Sequence, residues 1–217
     1  NLGKLKHRGL NDPGRQVVKR MNELGIIVDL SHTGEQTFYD ALAVTTKPVL
    51  LSHSSVWSIC PVFRNVKDDQ IKAVAKNGGV ICINFYSGFV SREFDQRSTY
   101  LEGPAKKVIQ DSIFAIWHDS TKMKNEWQKY YESKLNKVRP TIGQVVDHID
   151  YIVKLVGADH AGIGSDFDGV SSLPVGLEDV TTYPKITEEL LKRGYSKKAI
   201  KKILGGNVLR VMKANFK

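Results

Sequence analysis

The sequence predicts an α/β protein built on a parallel sheet. Three observations carry this. Short, continuous, β-branched apolar runs at residues 26–30, 48–51 and 80–85 have the composition of strands buried on both faces. Segments of helical periodicity precede them, as in βαβ units. And three strand ends carry polar groups with chemical potential, His32, His53 and Asp166.

Taken in order, residues 13–24 set Val17, Val18, Met21 and Leu24 on one helical face, and Gly25 supplies a stop. The helix hands over to Ile26-Ile-Val-Asp-Leu30, which ends in Ser31-His32. Residues 34–44 are helical in composition and lead to Pro48-Val-Leu-Leu51, ending in Ser52-His53. Residues 68–77 form a third helix, stopped by Gly78-Gly79 before the strand Val80-Ile-Cys-Ile-Asn-Phe85. Thr141 with Gln144 makes a capping box that opens a helix through Val156. A fourth, Gly-rich strand, Ala161-Gly-Ile-Gly-Ser165, then runs into Asp166. Two helices, 185–193 and 196–213, close the chain. The polar and aromatic stretch 92–139 reads as an insertion in what is otherwise one catalytic-domain fragment spanning 1–217.

Neither G-x-G-x-x-G nor G-x-x-x-x-G-K-[ST] occurs, which disfavours a doubly wound nucleotide-binding sheet. Polar residues at strand ends instead match a TIM (β/α)8 barrel, whose active sites lie there.

Composition narrows the function classes. With 41% hydrophobic and 25% charged residues over 217 positions, the chain is an ordinary globular sequence. No apolar run approaches the roughly 18 residues of a membrane-spanning helix. Cys60 and Cys82 are too few for a disulfide framework and lack C-x-x-C spacing, so neither a thiolate zinc site nor a redox motif is available. A formal net charge of +9 raises the question of nucleic acid. The basic residues are scattered, however, and Lys197, Lys198, Lys201 and Lys202 have the spacing of a solvated helix face. No helix-turn-helix, zinc-finger or RNP signature accompanies them, so no nucleic-acid partner is expected. The first residues lack a signal-peptide pattern, which leaves the compartment open, a secreted or cell-envelope location included.

The chemistry concentrates at the strand ends. Leu30-Ser31-His32 and Leu51-Ser52-His53 are near-copies one βα unit apart. Adjacent parallel strands lie about 4.8 Å apart, so two such imidazoles can converge on one ion. Asp166, in Gly162-Ile-Gly-Ser-Asp-Phe-Asp-Gly169, can serve as a proton shuttle or a metal ligand where glycines let the backbone crowd a ligand. Asp168-Gly169 reads as a turn pair. His7, His118 and His160 read as surface groups. Trp57, Tyr86 and Asn84 follow or end strands, where rim packing and pocket lining are both open to them.

Val28-Asp-Leu-Ser-His32, Pro48-Val-Leu-Leu-Ser-His53-Ser-Ser, Arg64-Asn-Val-Lys-Asp-Asp69, Gly78-Gly-Val-Ile-Cys-Ile-Asn-Phe-Tyr86, Gly164-Ser-Asp-Phe-Asp-Gly-Val170 and Gly176-Leu-Glu-Asp-Val180 together resemble the membrane (renal) dipeptidase family of zinc peptidases. Gly206-Asn-Val-Leu-Arg-Val211 adds to the likeness. The resemblance implies a binuclear zinc dipeptidase on an amidohydrolase-type barrel, cleaving dipeptides and tolerating a D-residue at the C-terminal position. It implies that His32 and His53 hold the second Zn2+, that Arg64 receives the substrate carboxylate, and that Asp166 moves protons between the bridging water and the leaving amine.

The same resemblance places the family's first-zinc H-x-D pair, its bridging Glu and a further substrate-facing His before residue 1. The one H-x-D here, His148-Ile-Asp150, falls in a helix, where i and i+2 point about 200° apart and cannot chelate together. The sequence therefore predicts the C-terminal half of a barrel, strands five to eight, with the N-terminal half as a missing partner. Its open edges leave room for a homodimer, and the fragment alone is expected to be inactive and to bind zinc weakly. Two other readings share these residues. One is another metal-dependent amidohydrolase, such as a deaminase or a β-lactam-opening enzyme; the other is a metal-free basic binding domain.

Overall fold

The computed structural model describes residues 8–216. It contains three strands, β1 (Leu50–Leu51), β2 (Val80–Asn84) and β3 (Ala161–Ser165), all parallel and in the order β1-β2-β3. The first apolar run, 26–30, reaches this sheet through a single bridge, Asp29 to Leu50, with the Leu30 amide donating to the Leu50 carbonyl at 2.8 Å.

The predicted half-barrel, strands five to eight of a TIM (β/α)8 barrel, is therefore corrected to an open three-stranded sheet. No closed barrel forms among the described residues. The reason is pairing length. Closure needs every strand edge hydrogen-bonded with a consistent stagger, whereas β1 offers two residues and the 26–30 run one bridge.

The helices are α1 (Asp12–Leu24), α2 (Glu35–Val44), α3 (Asp68–Asn77), α4 (Ser87–Val90), α5 (Arg92–Glu102), α6 (Lys106–Trp117), α7 (Ser120–Leu135), α8 (Ile142–Val156), α9 (Tyr183–Lys192), α10 (Lys197–Lys201) and α11 (Asn207–Asn215). Local chemistry sets their ends. Gly25 and Gly78 take left-handed conformations at the C-termini of α1 and α3, and Thr141 with Gln144 forms the capping box that starts α8. The single helix expected over 196–213 is instead broken. A π-helical turn, Lys202–Gly206, separates α10 from α11, and Gly205 leaves helical geometry inside it.

β2 is buried along its length, and its side chains alternate between faces. Ile81 and Ile83 join the main core with Ile71 and Val74 of α3 and Val145, Ile149 and Ile152 of α8. Val80 and Cys82 pack instead with Val211 of α11. Within 92–139, α5 and α7 make a separate small core from Phe94, Leu101, Trp127 and Leu135.

Candidate active site

The C-terminal end of the sheet gathers all four residues singled out as site candidates. The chain leaves the 26–30 run through a turn in which His32 takes φ +66°, a left-handed conformation that costs a non-glycine residue energy. That turn aims His32 back at His53, and their Nε2 atoms stand 2.7 Å apart with ring planes tilted by 55°. Four non-glycine residues in the described chain have φ above zero, and three of them, His32, Ser165 and Asp166, lie at this end of the sheet.

A polar lattice cross-braces the two Leu-Ser-His turns. Asp29 Oδ1 accepts the amides of Ser31 and Ser52, at 3.0 and 3.1 Å. Asp29 Oδ2 lies 2.5 Å from Ser52 Oγ, which lies 2.7 Å from His53 Nδ1. Ser31 Oγ accepts the His53 amide and meets Ser54 Oγ, both at 3.1 Å. Asp29 and Ser52 were not singled out from the sequence. The available signal was a polar aspartate interrupting an otherwise apolar run, at a position the structure leaves exposed.

Asp166 stands at the end of β3. A bulge between Ile83 and Asn84 shifts the register so that Asn84 pairs with Ser165. Asn84 is fully buried; its Oδ1 accepts the Tyr86 amide at 2.6 Å, which turns its Nδ2 to donate to Asp166 Oδ2 at 3.0 Å. Gly169 closes the turn by donating to the Asp166 carbonyl. A Cβ on Gly169 would come within 2.3 Å of Asp166 Oδ1, and one on Gly164 within 2.3 Å of the Ser52 carbonyl. The glycines here thus make room for the neighbouring strand end and for the catalytic candidate itself. Asp168 is exposed in the same turn.

Arg64 reaches the pair from a loop pinned at both ends. The Trp57 amide donates to the Val66 carbonyl and the Val66 amide to the Ser55 carbonyl, both at 2.9 Å, and Asn65 Nδ2 donates to the carbonyls of Cys60 and Phe89 at 2.8 Å. The guanidinium approaches the His53 carbonyl at 3.5 Å and lies 5.5 Å from the centre of the Phe89 ring. Burial lowers the Arg64 pKa against the opposing pull of Asp166 and Asp29. Burial also lowers that of His32, with the Arg64 and His53 charges acting in the same direction. A cavity of about 810 Å³ opens beside these groups, walled by Leu30, His32, Phe38, Trp57, Phe63, Arg64 and Phe89, with the Glu35–Lys67 ion pair among its lining residues.

The remaining candidates lie apart. His148 is fully buried in α8, with Nδ1 accepting the Val56 amide and Nε2 donating to the Val90 carbonyl; Asp150 pairs with Arg193. Tyr86 packs on Phe89 and Phe94, while Trp57 lines the cavity. His118 is exposed, and His160 is half-buried and bonded to the Gly79 carbonyl. His7 lies outside the described residues. Burial pushes both thiols up to about 12, which keeps Cys60 and Cys82 chemically quiet.

The model of the membrane dipeptidase family, Peptidase family M19, matches residues 2–216. The chain belongs to that family. It is 36% identical over 207 residues to the dipeptidase aclJ of Aspergillus oryzae, covering 95% of this chain and 39% of that protein. Its fold is similar to that of the probable dipeptidase PvdM from Pseudomonas aeruginosa, with a TM-score of 0.73 at 28% identity over 95% of this chain and 54% of that one. A metallopeptidase from Rhodobacter sphaeroides, solved with a phosphinate mimic of L-Ala-D-Ala, shares the fold at a TM-score of 0.72 and 24% identity, covering 97% of this chain and 48% of that one.

The match to the dipeptidase family corrects one expectation. The likeness is not confined to a C-terminal half-domain, because the family model runs over nearly the whole chain. The missing barrel half expected as a partner falls with it. The chain nonetheless spans less than two thirds of the length of these relatives. Among the described residues no helix is long and apolar enough to cross a membrane.

For the metal that the family implies, the donor set fits in part. Two imidazoles converge through Nε2, the chemistry of a zinc ligand pair. Among the described residues no group of three or more His, Cys, Asp or Glu side chains is placed to hold an ion.

Proposed function

We propose that this chain carries the second-zinc and substrate-orienting face of a dipeptidase site, hydrolysing the peptide bond of a dipeptide by a metal-activated water. The observation that carries the reading is the meeting of His32 and His53 through Nε2 at 2.7 Å, at the sheet end where Asp166 and Arg64 also stand.

In this reading His32 and His53 hold Zn2+, and the lowered His32 pKa favours the neutral imidazole that a metal ligand must be. Zinc held there supplies a Lewis acid for the substrate carbonyl and brings the pKa of water toward about 7. Arg64 receives the substrate's terminal carboxylate, for which its planar fork is suited, and its backing against Phe89 fixes the direction of that fork. Asp166 handles the proton. Its Oδ2 is occupied by the Asn84 amide, so Oδ1 takes the proton of the attacking water and passes it to the leaving amine nitrogen. The aromatic walls at Trp57, Phe63 and Phe89 give the substrate's side chain an apolar surface beside Arg64.

The test is hydrolysis of a dipeptide with zinc content measured alongside. Asp166→Asn keeps the shape and loses the base, so kcat should fall by roughly 10² to 10⁴-fold with zinc content unchanged. Zinc lost in proportion to activity would make Asp166 a ligand and end this assignment.

A further inference from the structure

We propose that Asp29 and Ser52 form a hydrogen-bond relay that fixes His53 as the Nδ1–H tautomer, so that its Nε2 lone pair is held ready for a metal ion. The inference rests on the reading of His53 as a zinc ligand and adds two positioning residues to it.

Counting protons fixes the tautomer. A carboxylate only accepts hydrogen bonds. Both oxygens of Asp29 do so here, Oδ1 from the Ser31 and Ser52 amides and Oδ2 from Ser52 Oγ at 2.5 Å. The one hydroxyl proton of Ser52 is therefore committed to Asp29. If it pointed at His53 instead, two oxygens would face each other at 2.5 Å with no proton between them. Ser52 Oγ thus has only lone pairs to offer His53 Nδ1 at 2.7 Å, and Nδ1 must carry the hydrogen. A neutral imidazole has one N–H, so Nε2 is bare, and it is the atom facing His32.

The two histidines are consequently unequal. The His53 main chain is also clamped, its amide donating to Ser31 Oγ. In the metal-free protein His32 carries its hydrogen on Nε2 and donates it to His53 Nε2 across 2.7 Å. His32 has to change tautomer to bind an ion through Nε2, whereas His53 does not. Carboxylate partners of this kind fix ring orientation and raise the basicity of a metal-binding imidazole, and their loss typically costs about 10 to 100-fold in metal affinity.

Asp29→Asn separates this reading from a merely structural one, because it keeps the shape and reverses the relay. The amide oxygen can still accept the Ser31 and Ser52 amides, while the NH2 group now donates to Ser52 Oγ. The Ser52 proton is then free to turn to Nδ1, which drives His53 to the Nε2–H form. The experiment records ¹⁵N shifts of the histidine rings in the metal-free protein, with His53 assigned by its own substitution, and zinc affinity by chelator competition. In the wild type His53 should show a protonated Nδ1 and a bare Nε2. Asp29→Asn should invert this, and Ser52→Ala should mix the two tautomers; both should weaken zinc by about 10 to 100-fold, and Ser52→Thr should restore it. An Nε2–H tautomer in the wild type, or wild-type zinc affinity in Ser52→Ala, would overturn the relay. A wild type with the expected tautomer but no zinc binding would support the relay and overturn the zinc reading instead.

Discussion

Replacing His148 with Phe tests how the Arg64 loop is held. His148 is fully buried, and its two ring nitrogens are both used: Nδ1 accepts the Val56 amide at 2.9 Å and Nε2 donates to the Val90 carbonyl at 3.0 Å. Phe keeps the ring and leaves both backbone groups unpaired. Each such buried group costs about 1–3 kcal/mol, so the variant should lose about 2–6 kcal/mol at pH 7.5. The same burial depresses the His148 pKa from its ordinary 6.5 to about 4. A depressed native pKa means that the unfolded chain binds the extra proton first. The contribution is then complete above pH 6.5 and is lost as pH falls toward 4. Between pH 7.5 and 4.5 the wild type should lose about 2.5 kcal/mol through this residue, and the Phe variant nothing. Urea unfolding of both proteins at the two pH values reads the difference, and the gap between them should narrow by that amount at pH 4.5. An equal gap at both values would refute the placement of a neutral, doubly bonded imidazole in this core.

Two further outcomes bear on the site. Arg64→Lys should cut kcat/KM for dipeptides by about 10 to 100-fold, the worth of a charged hydrogen bond lost with the planar grip. It should spare zinc content and erase the preference for dipeptides over their amides; an unchanged preference would remove Arg64 from the carboxylate. Gly169→Ala places a methyl within 2.3 Å of Asp166 Oδ1, so the carboxylate must move by about 1 Å. A displacement of that size costs on the order of 10²-fold in kcat with zinc retained, and full activity in this variant would show that Oδ1 does not carry the proton.

Legibility in the sequence followed the range of the interactions. The helix at Asp68–Asn77 was readable to the residue because its stop, Gly78, acts locally through its left-handed backbone. The break at Lys202–Gly206 was missed although Gly205-Gly206 signalled it, since the lysines on either side kept helical spacing. The segment 92–139 gave few signals because its apolar residues are shared between a small core and an exposed face. In α6, Val108, Ile116 and Trp117 remain 66%, 72% and 49% exposed. The barrel was the largest error. Apolar strand composition reports burial, but closure depends on long-range pairing, and the 26–30 run contributes one bridge where a strand was expected.

The site divides along the same line. The Leu-Ser-His repeat was readable because it is a local pattern of sequence, whereas the left-handed turn that aims His32 at His53 carried no such signal. Asp29 and Ser52 were not, because what they do depends on which atom owns a proton, and that emerges only when two turns from different strands meet. Their placement also bears on the backbone. His32, Ser165 and Asp166 hold left-handed conformations that cost of order 1–3 kcal/mol each in isolation. Such conformations persist only where the surroundings over-determine them. Around His32 the surroundings are the Asp29 and Ser31 hydrogen bonds to the neighbouring turn. Around Asp166 they are the buried Asn84 amide and the tight packing of Gly164 against the Ser52 carbonyl. Ser52 thus appears in both, with its side chain on Asp29 and its carbonyl under β3. A substitution that shifts the Ser52 backbone should therefore disturb the His32–His53 pair and Asp166 together, whereas one confined to its hydroxyl should reach the histidines alone.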